Sequence, residues 1–265
     1  MIQTSPEQKK YLRSQRREKS LVLLIRFLLL VFFLAFWELA ASLGWIDSFI
    51  FSSPRRVFFT FLEMLKEQSL LSHIGVTLLE TLVSFFFVIV LSLGVSILLW
   101  ASPRLSHILE PYLVVLNSLP KSALAPLLIV WLGANVRTII VAGLSVAIFG
   151  SVINLYTGFQ EVDPDKLKLI ATLGGQKREQ LIKVVLPSCV GLILSVMKVN
   201  IGLCLVGVII GEFIGARKGL GYLIIYGSQV FKLDWVIMSI LILCLLAMAL
   251  YFLLSAVEKA CQRGR

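Results

Sequence analysis

The chain has 265 residues, of which 58% are hydrophobic and only 15% charged, with a mean hydropathy of +0.92. A soluble domain carries about 45–50% apolar and about 25% charged residues, so this composition excludes an ordinary soluble enzyme and indicates an all-α polytopic membrane protein. The formal charge of +10 does not mark a nucleic-acid partner, because the basic residues are scattered along the chain and form no soluble basic module.

Residues 1–20 form a basic segment containing Lys9, Lys10, Arg13, Arg16, Arg17 and Lys19. The apolar run from about Leu21 to Leu43 exceeds the core of a signal peptide, which is about 7–15 residues long. It reads as an uncleaved first span, although Ala40-Ala41-Ser42 has the small residues of a cleavage site. Residues 52–70 follow as an external amphipathic segment. Pro54 suits the first turn of a helix, and Phe58, Phe61, Leu62 and Leu65 share a face away from Glu63, Lys66 and Glu67. Two placements fit equally: flat on the membrane surface, or packed as a cap on the bundle.

Five more apolar runs approach or exceed the length of about 20 residues that crosses a bilayer. They extend from about Ile74 to Trp100, Ile108 to Leu132, Val136 to Tyr156, Cys189 to Phe213 and Trp235 to Val257. Pro120 and Pro126 are expected to interrupt the third span. The membrane domain is thus 21–257, with a basic tail at 258–265. Continuous runs of this kind argue against a β-barrel, whose strands alternate over about ten residues.

Lys and Arg counting sets the orientation. With both termini in the cytoplasm, the internal segments hold fifteen basic residues and the external ones seven. Residues 158–188 then form a cytoplasmic loop, and its polar, basic part, Asp163 to Pro187, stands out among the spans. Asp163 is a candidate helix cap, Pro164 suits the first helical position and Gly174-Gly175 stops the helix. A second short segment is expected to end at Pro187.

Four polar residues in or beside the spans are candidates for a solute pathway: Lys121, Lys198, Asn200 and Glu212. A charge at mid-bilayer costs about 2.5–3.5 kcal/mol on insertion scales. Lys198 must therefore face a water-filled pathway or a carboxylate, for which Glu80 and Glu110 are the candidates. Glu212 reads as an outer gate or equally as a capping residue. Gly202, Gly207, Gly211 and Gly215 suit close helix packing. Cys189, Cys204, Cys244 and Cys261 show no paired spacing, and His73 and His107 no metal or catalytic pattern. No metal site and no catalytic residues are expected.

The island resembles the cytoplasmic loop signature of permease subunits of ABC importers. In that pattern a Glu-Ala-Ala opens a helix, a Gly stands four residues after the second Ala, and an Ile-x-Leu-Pro follows at fixed spacing. Gly174 and Val184-Val185-Leu186-Pro187 match, whereas Lys168, Leu169 and Ile170 stand in place of Glu-Ala-Ala. Leu119-Pro120-Lys121, the stretch Pro126 to Gly133, Gly211-Glu212-Phe213 and Gly219-Leu220-Gly221 look like the nitrate/sulfonate/taurine branch, in the family's order.

The resemblance implies a type I importer fold and a half-transporter. Two copies would form the pathway for a small anionic or polar solute in a bacterial-type inner membrane. Two copies of a separate ATPase, carrying ATP and Mg, would dock below, and an extracytoplasmic binding protein would deliver solute from above. No GxxxxGK[ST] phosphate loop occurs in this chain, so neither ATP hydrolysis nor any cofactor is expected in it. The coupling residues would be Pro164, Lys166, Leu167, Lys168, Leu169, Ile170, Gly174 and Pro187. Leu167, Leu169 and Ile170 would enter a groove of the ATPase, and Lys166 and Lys168 would flank them. The alternative is a secondary transporter or channel without an ATPase; it favours paired broken helices, and only one break is evident. A membrane-embedded enzyme fits least, since the acidic residues within the spans are scattered.

Overall fold

The computed structural model describes residues 6–263, and the outermost residues of the basic N-terminal segment and of the tail lie outside them. Every regular element among the described residues is helical. Helix α1 (Pro6–Ser42) is followed by a one-turn helix α2 (Ser48–Phe51), α3 (Pro54–Lys66) and the long α4 (Ser69–Ala101). Next come α5 (Pro103–Ser118), α6 (Lys121–Leu132) and α7 (Val136–Gln160). The loop after α7 contains α8 (Pro164–Thr172) and α9 (Lys177–Gln180), which runs through a π-turn at Leu181–Val185 into α10 (Leu186–Gly215). The chain ends in α11 (Leu220–Gln229) and α12 (Leu233–Arg263).

Five helical segments are long and apolar enough to cross a membrane, or six if α5 and α6 make one bent span. These two helices meet at 96°. The bend falls at Leu119-Pro120, where Leu119 is extended (ψ 138°), as a residue before proline prefers. The expected second interruption does not occur. Pro126 lies inside α6, where its missing N–H removes one bond of the ladder without ending the helix.

Helices α4, α7 and α10 form the centre. Ser84 and Ser96 of α4 donate to the Ile140 and Val152 carbonyls of α7 at 3.1 and 3.0 Å. On the other side α7 meets α10 backbone to backbone. A Cβ on Gly207 would stand 2.8 Å from the Ala142 carbonyl and from Gly143 Cα, so glycine there sets the separation of the two helices. By contrast, α1 is exposed from Leu21 to Phe36, which in a bilayer makes this stretch a lipid-facing surface.

The amphipathic segment 52–70 packs on the bundle as a cap. Ser53 accepts from the Arg56 N–H at the start of α3, and Val57 and Met64 are buried with Leu205, Leu220, Leu223 and Met238. Phe61 packs against that cluster, while Phe58 is 59% exposed. Arg56 pairs with Asp234 of α12 at 2.9 Å. The face read from the sequence is therefore rotated: Val57, Phe61 and Met64 turn inward, and Phe58 turns outward.

Candidate functional site

The loop between α7 and α10 is built as a small bracket held by caps and side-chain hydrogen bonds. Asp163 Oδ1 accepts from the Asp165 N–H at 2.9 Å, capping α8. At the other end Gly174 (φ 80°) donates to the Ala171 carbonyl at 3.0 Å and Gly175 to the Ile170 carbonyl at 2.9 Å. This is a Schellman closure, which needs a left-handed residue and so favours glycine at 174. Gln180 Nε2 donates to the Leu167 carbonyl at 3.1 Å, and Lys177 Nζ reaches the Ala101 carbonyl at the foot of α4 at 3.0 Å.

The apolar residues of α8 divide between two surfaces. Leu167 packs against the cluster of Leu155, Phe159, Val162, Val185 and Cys189, tying α8 to α7 and α10. Ile170 is half-buried and folds over Gly175. Leu169 and Leu173 face outward at 59% and 76% exposure. The outward ridge is thus Leu169–Leu173, not the expected trio of Leu167, Leu169 and Ile170. Leu173 was missed, although the i,i+4 relation to Leu169 puts both on one face. Lys166 is exposed, and Lys168 pairs with Asp165 at 3.0 Å on the surface.

Pro187 does not end a segment, as its place in the sequence suggested. Helix runs without a break from Lys177 to Gly215. The Leu186 N–H bonds to the Leu181 carbonyl, a π-type step, and this wider turn just before the proline relieves the ring's clash with the preceding turn. The loop is therefore continuous with the fifth span.

The pathway candidates separate into three environments. Lys121 Nζ donates to the Leu116 and Asn117 carbonyls at 2.6 and 2.9 Å and lies over the Phe149 ring. It covers carbonyls freed where the third span breaks. Lys198 Nζ pairs with Glu258 of α12 at 2.6 Å, so its carboxylate partner is neither Glu80 nor Glu110. Asn200 is buried in the wall of a groove of about 430 Å³ between α7 and α10. Ser151, Asn154, Thr157, Glu161 and Ser195 also line this groove. Asn154, Thr157 and Ser195 are exposed on the membrane-spanning helices α7 and α10. Polar groups at membrane depth belong beside a cavity.

Glu212 belongs to the outer end. Its Oε1 accepts from Thr77 Oγ1 at 2.6 Å and its Oε2 from the Gly221 N–H at 2.6 Å. Thr77 Oγ1 in turn accepts from the Leu220 N–H at 2.8 Å. Glu212 and Thr77 thus cap the start of α11 and tie it to α4 and α10. A Cβ on Gly219 (φ 120°) would fall 2.3 Å from the Glu212 carboxyl, which explains why a glycine precedes α11. His73 Nδ1 accepts from the Gly219 N–H at 3.0 Å, and its ring stacks on Tyr222. No group of three or more metal-ligating side chains occurs among the described residues.

Comparison with known proteins agrees with this architecture. A probable ABC transporter permease protein of Haemophilus influenzae is 31% identical over 222 residues, covering 83% of this chain and 89% of that protein. A putative aliphatic sulfonates transport permease protein of Bacillus subtilis is 28% identical, covering 79% and 76%. The formylaminopyrimidine transport permease protein of Halalkalibacterium halodurans is 26% identical, covering 70% and 74%. Among solved structures, an inward-facing methionine ABC transporter, MetNI, superposes with a TM-score of 0.64 at 19% identity, over 74% of this chain and 97% of that one. The family model for the inner membrane component of binding-protein-dependent transport systems matches residues 89–264, so the chain belongs to that family of ABC transporter permeases.

Proposed function

We propose that this chain is the membrane subunit of an ATP-driven importer in a bacterial-type inner membrane. It pairs with a second copy of itself, receives solute from an extracytoplasmic binding protein and docks on a separate ATPase that binds ATP and Mg. The observation that carries this reading is the bracket at the cytoplasmic end. Leu169 and Leu173 project from a capped helix whose opposite side is packed onto α7 and α10. A rigid lever with an exposed apolar ridge suits a partner that pushes on it; a channel or secondary transporter has no use for one. In this reading Pro164 and Gly174 fix the two ends of the lever. Lys166 and Lys168 flank its ridge, and Pro187 lies where its motion passes into α10.

The pathway follows the α7–α10 groove in this reading, with Asn200 in its wall. Beside the apolar Leu192, Val196, Val199 and Leu203, the groove presents neutral amides and hydroxyls, and its charged member is Glu161. Lys121 and Lys198 are engaged with backbone carbonyls and with Glu258 respectively. These features support a small polar solute and give no separate support to a simple anion. The test is co-expression with the candidate ATPase and reconstitution into vesicles with the binding protein. Solute uptake that requires ATP hydrolysis is expected; uptake by the permease alone, driven by an ion gradient, would reject the importer reading.

A further inference from the structure

The α7–α10 groove is continued toward the bracket by a second hollow of about 330 Å³. The two helices show the same order along their length. On α7, Asn154 and Thr157 line the groove alone, Gly158 lines both spaces, and Asp163, the cap of α8, lines the second hollow alone. On α10, Asn200 and Ser195 line the groove alone, Leu192 lines both spaces, and Cys189 and Ser188 line the second hollow alone. Gly158 and Leu192 therefore stand at the junction of the two spaces, with Glu161 beside them at the end of α7.

At this junction Leu192 lies directly on Gly158. A Cβ on Gly158 would overlap the end of the Leu192 side chain, so glycine here is what lets the leucine reach the α7 backbone. Three residues earlier, Cys189 Sγ donates to the Gly158 carbonyl at 3.4 Å and holds α10 against α7 at the same level. The groove on one side carries amides and hydroxyls, and the hollow on the other carries Glu161, Asp163 and Lys166, all exposed. The contact between these polar spaces is itself apolar. An apolar constriction obstructs a polar solute, which must shed water to pass it. The leucine is also the movable partner: its end is a half-buried side-chain terminus that can change rotamer, whereas the glycine is backbone. Leu192 belongs to the same unbroken helix as α9 and the π-turn, so a shift of the bracket carries it along.

We propose that Leu192, lying on Gly158, closes the solute groove at the end that carries α8, so that solute leaves only when the leucine is lifted from the glycine. The proposal rests on the importer reading, which makes the groove a pathway and places α8 in the cytoplasm. It adds the residue that bars the way out.

The test uses the full chain with its ATPase in inverted membrane vesicles, where the ATPase face is outward. The probe is a membrane-impermeant, negatively charged methanethiosulfonate, added without ATP. A cysteine is placed in the groove (Asn154→Cys) or in the second hollow (Ser188→Cys), and the labelled position is read by peptide mass spectrometry. With Leu192 in place, labelling at position 154 is expected to be slower than at position 188 by roughly ten-fold or more, because thiol reactivity follows access. Leu192→Ala should accelerate labelling at 154 by about ten-fold, by removing the apolar constriction, and leave position 188 unchanged. Leu192→Met restores the apolar volume and should keep position 154 slow. Equal rates at the two positions with Leu192 in place overturn the proposal, as does a rate at 154 that Leu192→Ala leaves unchanged. A lower unfolding midpoint for Leu192→Ala, with labelling unaltered or accelerated equally at both positions, assigns Leu192 to packing alone and also overturns it. The importer reading fails separately, if the ATPase does not co-purify with the wild type.

Discussion

Glu212→Ala is expected to loosen the outer end of the bundle selectively. The substitution removes the acceptor for Thr77 Oγ1 at 2.6 Å and for the Gly221 N–H at 2.6 Å, in a place where Glu212 is 1% exposed. Leaving a buried donor without a partner costs about 1–3 kcal/mol, so the two together amount to about 2–6 kcal/mol. Water entering at the opened end re-pairs part of what is lost and places the expected value near the lower end, about 2 kcal/mol. A local opening eased by that amount becomes roughly thirty-fold more populated. Arg217 and Lys218 are exposed immediately before the tethered Gly219, so limited trypsinolysis reads the opening directly. Cleavage there should accelerate about thirty-fold in the Ala variant while the cytoplasmic loop is cut at the wild-type rate. Glu212→Gln should be milder, since its amide oxygen can still accept from Gly221 and its amide nitrogen can donate to the Thr77 hydroxyl. Equal cleavage rates in Glu212→Ala and wild type would refute the capping role.

Further substitutions probe other parts of the chain. Lys198→Met should lower the unfolding midpoint by leaving Glu258 without its partner at 2.6 Å, and adding Glu258→Gln should restore most of the loss; a transport defect that the double variant does not repair would place Lys198 in the pathway. Gly174→Val forces a β-branched residue to φ 80°, at a cost of about 1–2 kcal/mol. It should weaken ATPase docking more than it lowers the unfolding midpoint, and wild-type ATPase retention would show that the Schellman closure does not govern the lever. Gly207→Leu should prevent stable insertion or assembly, because even a Cβ meets backbone at 2.8 Å; a monodisperse, fully stable variant would contradict the close α7–α10 packing.

Much of the architecture was legible because membrane spans depend on a coarse property, the length of an apolar run. The span near Val136 to Tyr156 and the punctuation of α8 by Asp163, Pro164 and Gly174 could be read from composition and local capping chemistry alone. The misread parts depend on neighbours. Pro126 was expected to break a helix, but a proline in an otherwise continuous helix removes only one bond. Pro187 looked like a boundary, yet a π-turn accommodates it. The partner of Lys198 was not legible, because Glu258 lies 60 positions away. Phe58 was assigned to the wrong side of α3, because both of its faces carry apolar residues and only the packing against Leu205 and Met238 decides between them. The role of Glu212 required knowing that the start of α11 folds back onto it.

The central claim is that the Leu169–Leu173 ridge couples this chain to an ATPase. Leu169 and Leu173 are 59% and 76% exposed, so replacing both by Asp removes little internal packing and should leave the unfolding midpoint of the isolated permease nearly unchanged. The decisive measurement is the amount of ATPase retained per permease after affinity purification of the Leu169→Asp/Leu173→Asp variant. A loss of ten-fold or more, about 1.4 kcal/mol or more of binding free energy, is predicted with the fold intact. Full retention of the ATPase, with ATP-driven uptake preserved, would contradict the account.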